Sequence, residues 1–363
     1  MISPVLTHHL PTMNTHLAGW MDAGQLPGAM LLSFPKGSGE TEATQYLTSF
    51  MLCEHATKLN IETDQDSLFG GGSEPLVPIV SPALTPCAKC YQCTTIASGQ
   101  NVDMTVIRAE SEDASRSGTL KIEDLEPIRA SMGFRPHQAR FRVFVILGAE
   151  TLTPTAANSL LKILEEPPSS WKFILTTSDA SLILPTIVSR CQRMRFKPLT
   201  SSIINSALHA QDISLERRQL TSKLSQGNLD RALFLTGEEI WKKRALLGQF
   251  LSKPESVLND LIEWAAKDHT SFSALIDQWE FLIWDLSMKL SLVHHEFENS
   301  DLKSSLELWL NKSLKQNPNR NYWLSKIQIA LDSTAQVRQR MQAPLNKKLL
   351  AQEMLIPWLS VLN

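Results

Sequence analysis

The residues of this chain best equipped for chemistry are its cysteines. Cys87, Cys90 and Cys93 repeat at a spacing of three, and Cys53 lies upstream. Tetrahedral zinc takes four thiolate or imidazole ligands at fixed reach, and a Cys-x-x-Cys pair supplies two of them from one tight turn. The count of five cysteines is odd and most of them are clustered, which favours a metal over disulfides. The gap between Cys53 and Cys87 is long, but loop-closure entropy grows slowly with length. Cys53 is therefore the expected fourth ligand, with His55 as the alternative. The expectation is structural zinc, stapling a segment too small to hold a core of its own. Reduced, metal-free thiols and a catalytic zinc are the competing readings. Four thiolates leave no open position for water, which disfavours the catalytic one. Cys191, far from the others, reads as a buried thiol. His8, His9 and His137 lack ligand spacing and read as surface or packing residues.

A second constellation is a glycine loop, Phe34-Pro35-Lys36-Gly37-Ser38-Gly39-Glu40-Thr41. In the phosphate loop G-x-x-x-x-G-K-[ST], backbone N–H groups wrap the phosphates, the lysine meets the β and γ phosphates, and the hydroxyl holds Mg²⁺. Gly39 and Thr41 stand at the right offsets, and Gly37 keeps the loop thin. Phe34 replaces the first glycine and Glu40 replaces the lysine, so a carboxylate would repel the triphosphate the cation should attract. Lys36 lies four residues early. The loop reads as a decayed nucleotide site; a coincidental turn and unconventional nucleotide binding are the alternatives. The acids that hold Mg²⁺ at the end of a second strand are also missing: Leu147 and Gly148 occupy those positions. Glu150 lies beyond them and is expected to face solvent or cap structure. Both losses predict no ATP hydrolysis by this chain.

These residues need a framework. Apolar runs at Ala29–Ser33, Met104–Arg108, Phe141–Leu147, Trp171–Thr177 and Arg193–Phe196 read as strands. Several are nearly continuous in apolar residues, as in a parallel sheet covered on both faces. Helical patterns between them give the βαβ rhythm of a doubly wound α/β domain. One helix is well signposted: Thr153 caps it, Pro154 suits its first turn, Ala157, Leu160, Leu161 and Leu164 share a face, and Pro167-Pro168 stop it. Residues 54–86, rich in Gly, Ser, Thr, Pro and acids, read as a surface insertion. After Leu199 the pattern is all helical. Gly227-Asn228 break two short helices before about Gly237, and longer amphipathic helices follow. Ile276, Trp279, Ile283, Leu286 and Leu290 form one stripe. Trp264, Trp284, Trp309, Trp323 and Trp358 read as helix packing rather than base stacking, because basic residues do not flank them.

The 363 residues, 43% hydrophobic and 20% charged, suffice for two or three globular domains. The formal net charge of −2 argues against a free-standing DNA binder. There is no secretory-signal pattern over Met1 to Leu10 and no apolar run long enough to cross a membrane, so a cytoplasmic protein is expected.

From Thr153 to Cys191 the sequence carries a specific combination. It contains Thr153-Pro154-Thr155-Ala156-Ala157-Asn158-Ser159-Leu160-Leu161-Lys162, then Leu164-Glu165-Glu166-Pro167-Pro168, then Ser189-Arg190-Cys191. Together these resemble the hallmark of the bacterial clamp-loader subunits of DNA polymerase III. The likeness extends more weakly to the loop at Phe34, the cysteine cluster, the helices around Gly227, and Leu345-Asn346-Lys347-Lys348-Leu349-Leu350. It implies an AAA+ parallel-sheet domain with a zinc module over 1–198, a small helical lid over 199–240 and a helical collar over 241–363. It also implies a four-cysteine zinc site at Cys53, Cys87, Cys90 and Cys93.

Motor subunits of that family keep both nucleotide motifs, and this chain fits the type that has lost them. The family's lid arginine, in a Gly-x-x-Arg pattern, aligns with Asp230, with Arg231 adjacent. The resemblance gives Arg190 the role of an arginine finger, reaching the ATP of a neighbouring motor subunit and stabilising charge on the transferred phosphate. A structural ion pair is the bland alternative. Ser189 and Cys191 would position its turn, and Lys162 and Glu165 would lie near neighbours. The implied partners are the gamma/tau motor and delta subunits, with the sliding clamp and primed DNA met through the assembly. An active clamp-loader ATPase and a zinc-containing nucleic-acid-binding adaptor are the rival readings.

Overall fold

The computed structural model describes residues 3–23, 25–55, 85–109, 118–292, 294–341 and 346–362. The expected insertion 54–86 falls almost wholly outside the described residues, as does Leu345. The chain divides into two compact units, one up to Leu199 and one from Thr200 onward.

The first unit runs α1 (Pro4–Asp22), β1 (Ala29–Ser33), α2 (Glu40–Leu52), α3 (Tyr91–Ala97), β2 (Met104–Arg108), α4 (Glu126–Ala130), β3 (Arg142–Leu147), α5 (Pro154–Glu165), β4 (Trp171–Thr177), α6 (Pro185–Val188) and β5 (Gln192–Arg195). The strands form one sheet in the order β2-β3-β4-β1-β5, and every pairing is parallel. Side chains alternate across the sheet because the strand period is two. Met30, Leu32, Val143, Val145 and Ile174 face a core shared with α1 and α2. Leu31, Phe144, Ile146, Phe173 and Leu175 face a second core shared with α5. All seven residues of β4 are buried, which is why the strand reads as an unbroken apolar run. β3 begins one residue after the expected Phe141, and β5 is shifted one residue earlier than expected.

α5 starts and stops as its sequence predicts. Thr153 accepts a hydrogen bond from the Ala156 N–H, and Pro154 occupies the first turn. Leu160 and Leu164 are buried and Leu161 packs at the edge of the same core. The helix at the N-terminus was not foreseen. Ser3 caps it and Pro4 opens it, and Val5, His9, Met13 and Leu17 form its buried stripe at intervals of four.

The second unit is helical: α7 (Ser201–Ala207), α8 (Leu215–Leu224), α9 (Leu229–Leu235), α10 (Glu238–Ser252), α11 (Pro254–Lys267), α12 (His269–Ser291), α13 (Lys303–Gln316), α14 (Arg320–Arg340) and α15 (Lys347–Leu362). Gly227, at φ 85°, separates α8 from α9, and Asn228 caps α9 at the Arg231 N–H. One apolar core runs from Leu220 to Leu362 and takes in the whole Ile276–Leu290 stripe. Trp264, Trp309, Trp323 and Trp358 are buried, whereas Trp284 is exposed. Among the described residues no helix is long and apolar enough to cross a membrane.

A polar network lies within this core. Arg244, 1% exposed, donates to both oxygens of Asp301 at 2.6 and 2.9 Å and to Asn299 Oδ1 at 2.7 Å. Asn299 in turn donates to the buried Asp285 carboxylate, which also meets His295 Nε2 at 2.8 Å. The buried charges are thus paired and hydrogen-bonded, as burial demands.

Candidate metal centre and phosphate loop

α2 links the two constellations the sequence singles out. Its N-terminus receives the glycine loop and its C-terminal cap is Cys53.

At the Cys53 end, the sulfurs of Cys53, Cys87, Cys90 and Cys93 all lie within 4.8 Å of one another. The Cys87–Cys93 and Cys53–Cys90 sulfur pairs are 4.0 Å apart. A tetrahedron with Zn–S bonds of about 2.3 Å has edges of roughly 3.8 Å, so the four donors fit one soft divalent ion. His55 is exposed and outside this group; Cys53 is the fourth donor. The Cys87–Cys90 turn is built for sulfur: the Cys90 N–H points at the Cys87 sulfur at 3.3 Å, and the Cys87 N–H at the Cys53 sulfur at 3.4 Å. Backbone N–H groups of Lys89 and Cys90 lower the Cys87 thiol to about 6, while burial raises Cys53 and Cys93.

Beside the cluster is an anchor that the sequence reading missed. Asp103 is fully buried and accepts from the N–H groups of His137, Gln138 and Ala139 at 2.6 to 2.9 Å. Burial opposes its ionisation, but these three donors and Arg142 outweigh it and hold its pKa below the usual carboxylate value. Its sequence signal was weak: an Asn-x-Asp turn before an otherwise ordinary strand.

At the other end of α2, Gly37 and Gly39 have φ of 66° and 88°, the left-handed conformations that a phosphate loop uses. Space around the loop is taken. Phe34 is fully buried and stacks on Phe196 with ring centroids 4.1 Å apart. His9, from α1, meets both rings edge-on, and its Nε2 lies 2.6 Å from the Ser38 carbonyl oxygen. Burial, aided by repulsion from His8, lowers the His9 imidazole. A Cβ on Gly39 would stand 2.2 Å from Val5 Cγ1, so α1 sits directly against the loop. Glu42, in the first turn of α2, is tied to the Ser3 hydroxyl. Lys36 and Thr41 are exposed.

The loop after β3 is equally spent on structure. The Gly148 N–H donates to Thr176 Oγ1 at 3.0 Å, and Glu150 accepts from the Ser178 N–H and hydroxyl at 3.0 and 2.7 Å. Glu150 therefore caps the end of β4, one of the two roles expected for it.

Arg190 follows α6. Its guanidinium donates to Glu165 Oε1 at 2.9 Å and to the Thr186 carbonyl at 3.0 Å, and its side chain stays 37% exposed. Ser189 bonds to the Thr186 carbonyl. Cys191 is buried, and burial raises its thiol to about 11. Lys162 is exposed. In the second unit Asp230 is exposed, while Arg231 reaches Asp277 at 3.5 Å.

The fold and loop together define a parallel α/β domain with a phosphate-loop backbone that carries glutamate in place of lysine. Residues 80–200 match the family model described as DNA polymerase III, delta subunit. Bacillus subtilis DNA polymerase III subunit tau is 31% identical over 232 residues, covering 60% of this chain and 36% of tau. Bacillus subtilis DNA polymerase III subunit delta' is 26% identical over 225 residues, covering 62% of this chain and 59% of delta'. Among solved structures, a DNA polymerase III gamma subunit-related protein from Thermotoga maritima aligns over 94% of this chain and 97% of its own, at 17% identity and a TM-score of 0.43. These matches show that the chain is similar to clamp-loader subunits of DNA polymerase III, of both the delta' and the tau/gamma kinds. It spans less than two thirds of the length of these curated relatives.

Proposed function

We propose that this chain acts as a delta-prime-type subunit: an ATPase-deficient member of the clamp-loader ring. In this reading it is cytoplasmic and helps load the sliding clamp on primed DNA as part of the DNA polymerase III holoenzyme. Its partners are the gamma/tau motor and delta subunits. The observation that carries the proposal is the phosphate loop, where Glu40 stands at the lysine position and Phe34 is packed into the core beneath α1. A loop so filled and so charged does not hold a triphosphate. The four thiols hold structural zinc, which fixes α3 to the end of α2.

Arg190 then works in trans. A guanidinium held by one exposed carboxylate and the Thr186 carbonyl is available: its partner Glu165 costs little to leave, since exposed ion pairs are worth about 0–1 kcal/mol. Re-aimed at a neighbour's ATP, the same fixed cation stabilises charge developing on the γ phosphate.

The test is reconstitution with the cognate motor and delta subunits, reading clamp- and primed-DNA-stimulated ATPase. The wild type is expected to assemble and stimulate turnover. Arg190→Ala is expected to assemble and lose a large share of that rate. Equal rates make Arg190 structural, and failure of both to enter the complex removes the clamp-loader role.

A second reading, an active clamp-loader ATPase, is favoured by one finding: the tau relative is more identical to this chain than the delta' relative is. Equilibrium binding of ATP to the isolated chain separates the two. Micromolar affinity would support the active subunit, and no saturable binding the ATPase-deficient one. Salt-dependent DNA binding by the isolated chain would instead support the nucleic-acid adaptor.

A further inference from the structure

A cleft of about 480 Å³ lies in the first unit at the N-terminal edge of the sheet, away from the strand ends that carry the phosphate loop. It opens between the last turns of α1 and α2, residues 138–141, and the start of β4. The volume is that of a small-ligand pocket, roughly 300–1,000 Å³. Trp20, Phe50, Met51 and Phe141 give it apolar walls.

Two cations line the same space. Lys172 is only 6% exposed, and its Nζ donates to the Leu26 carbonyl at 2.8 Å while standing 5.0 Å from the Phe141 ring centroid. The Arg140 guanidinium stands 5.1 Å from the same centroid. Among the described residues neither cation has a carboxylate within salt-bridge distance. Burial, with repulsion from Arg140, lowers the Lys172 ammonium. Two like charges therefore converge on an apolar cleft, and an opposite charge placed there would be attracted by both. Glu54 also lines the cleft and is exposed, and Cys53 of the thiol cluster forms part of the wall.

We propose that this cleft binds a short peptide segment of a partner protein, one in which a large apolar residue carries or adjoins a single carboxylate. The apolar walls take the side chain. Lys172 and Arg140 take the carboxylate, because an ammonium has three donors and a guanidinium five, and hydrogen bonds between ions are stronger than neutral ones. A polyanion such as nucleic acid is a poor fit, since its further charges meet Glu54 and the neighbouring sulfurs. This assignment does not depend on the clamp-loader role or on the ATPase state of the chain.

Isothermal titration of the full chain with N-acetyl-Gly-Ser-Leu-Leu-Phe, ending in a free carboxylate, tests the proposal. Saturable one-site binding is expected, weakened about tenfold or more by C-terminal amidation, as the loss of a charge-assisted hydrogen bond predicts. Arg140→Glu, at an exposed position, is expected to produce a similar loss without disturbing the fold. Lys172→Met keeps the volume and should weaken binding comparably, with its thermal melt checked alongside. Absence of saturable binding overturns the proposal, and so does equal affinity for the amide or for Arg140→Glu. Displacement of the peptide by decanoate at an equal or lower concentration overturns the peptide assignment, because the cleft would then be a general amphiphile site.

Discussion

The two ends of α2 differ in what they have kept. At Gly39 the backbone still follows the path of a phosphate loop, with left-handed glycines leading into a helix. The charge that gives such a path its use is reversed at Glu40, and the surrounding volume is occupied by Phe34, His9 and Val5. At Cys53 the donors themselves persist. Four sulfurs stand within one tetrahedron's reach, and backbone N–H groups point at two of them. A phosphate loop needs both path and charge, and here a path without the charge serves as packing surface. A thiol site needs only its donors in place, because the metal supplies the rest of the energy.

The largest effect should come from the thiol end. Removing the metal with a chelator, or replacing Cys90 by Ser, is expected to abolish stoichiometric zinc and lower the thermal midpoint markedly. Structural zinc binding in small modules is worth about 10 kcal/mol or more, and part of that is folding energy of the segment. Metal content by atomic emission, paired with thermal unfolding before and after chelation, checks it. If the chelated and metal-loaded chains melt at the same temperature, the thiols are mere packing and the contrast between the two ends of α2 collapses.

Next in size is Phe34→Ala. Truncating a fully buried aromatic costs about 3–5 kcal/mol, here through loss of the Phe196 stack and the His9 contacts. Urea denaturation should show the lower midpoint at unchanged slope. A cost below about 1 kcal/mol would mean that the loop is loosely packed and open to a ligand, which would restore the nucleotide-site reading.

Much of this was legible in the sequence. Strand positions came from apolar runs, α5 from its cap and prolines, and the Cys-x-x-Cys spacing placed three of four donors. What stayed hidden depends on partners distant in the chain. Asp103 holds residues 34 or more positions away, and nothing local to Asp103 marks that role. Arg244 pairs with Asp301 and Asn299 across the helical unit. His9 was readable only as surface or packing, because its partners Ser38 and Phe196 lie on other elements. The exception is α1 itself. Its stripe of Val5, His9, Met13 and Leu17 recurs every four residues behind a Ser-Pro start, a helix signal that could have been found.

A smaller effect sharpens the loop end of the comparison. Burial holds the folded-state value for His9 below the ordinary value of about 6.5. In the window below pH 6.5 the unfolded chain takes up a proton that the folded chain resists, so stability falls as the solution is acidified through it. His9→Gln retains a donor for the Ser38 carbonyl and removes the titration. Its loss of stability between pH 7 and 5.5 should be shallower than that of the wild type, with other histidines such as His16 contributing equally to both. Identical slopes would mean that His9 is hydrated, and α1 would not be sealing the loop.

The smallest effect on stability is expected at Arg190, and its smallness is the point. The loop carries Glu40 where a phosphate-binding lysine would stand, while Arg190 displays a cation at the surface, 37% exposed and paired with a Glu165 that is itself 46% exposed. Solvent screening limits such pairs to about 0–1 kcal/mol. Arg190→Ala, Glu165→Ala and the double variant should therefore each unfold within about 1 kcal/mol of the wild type, with a coupling energy inside the same range. A loss of about 3 kcal/mol in either single variant would show that the pair braces α5 against α6. Arg190 would then be bound to its own subunit by too much energy to leave for another's phosphate. A near-zero coupling leaves the guanidinium free to exchange one carboxylate for a more highly charged partner.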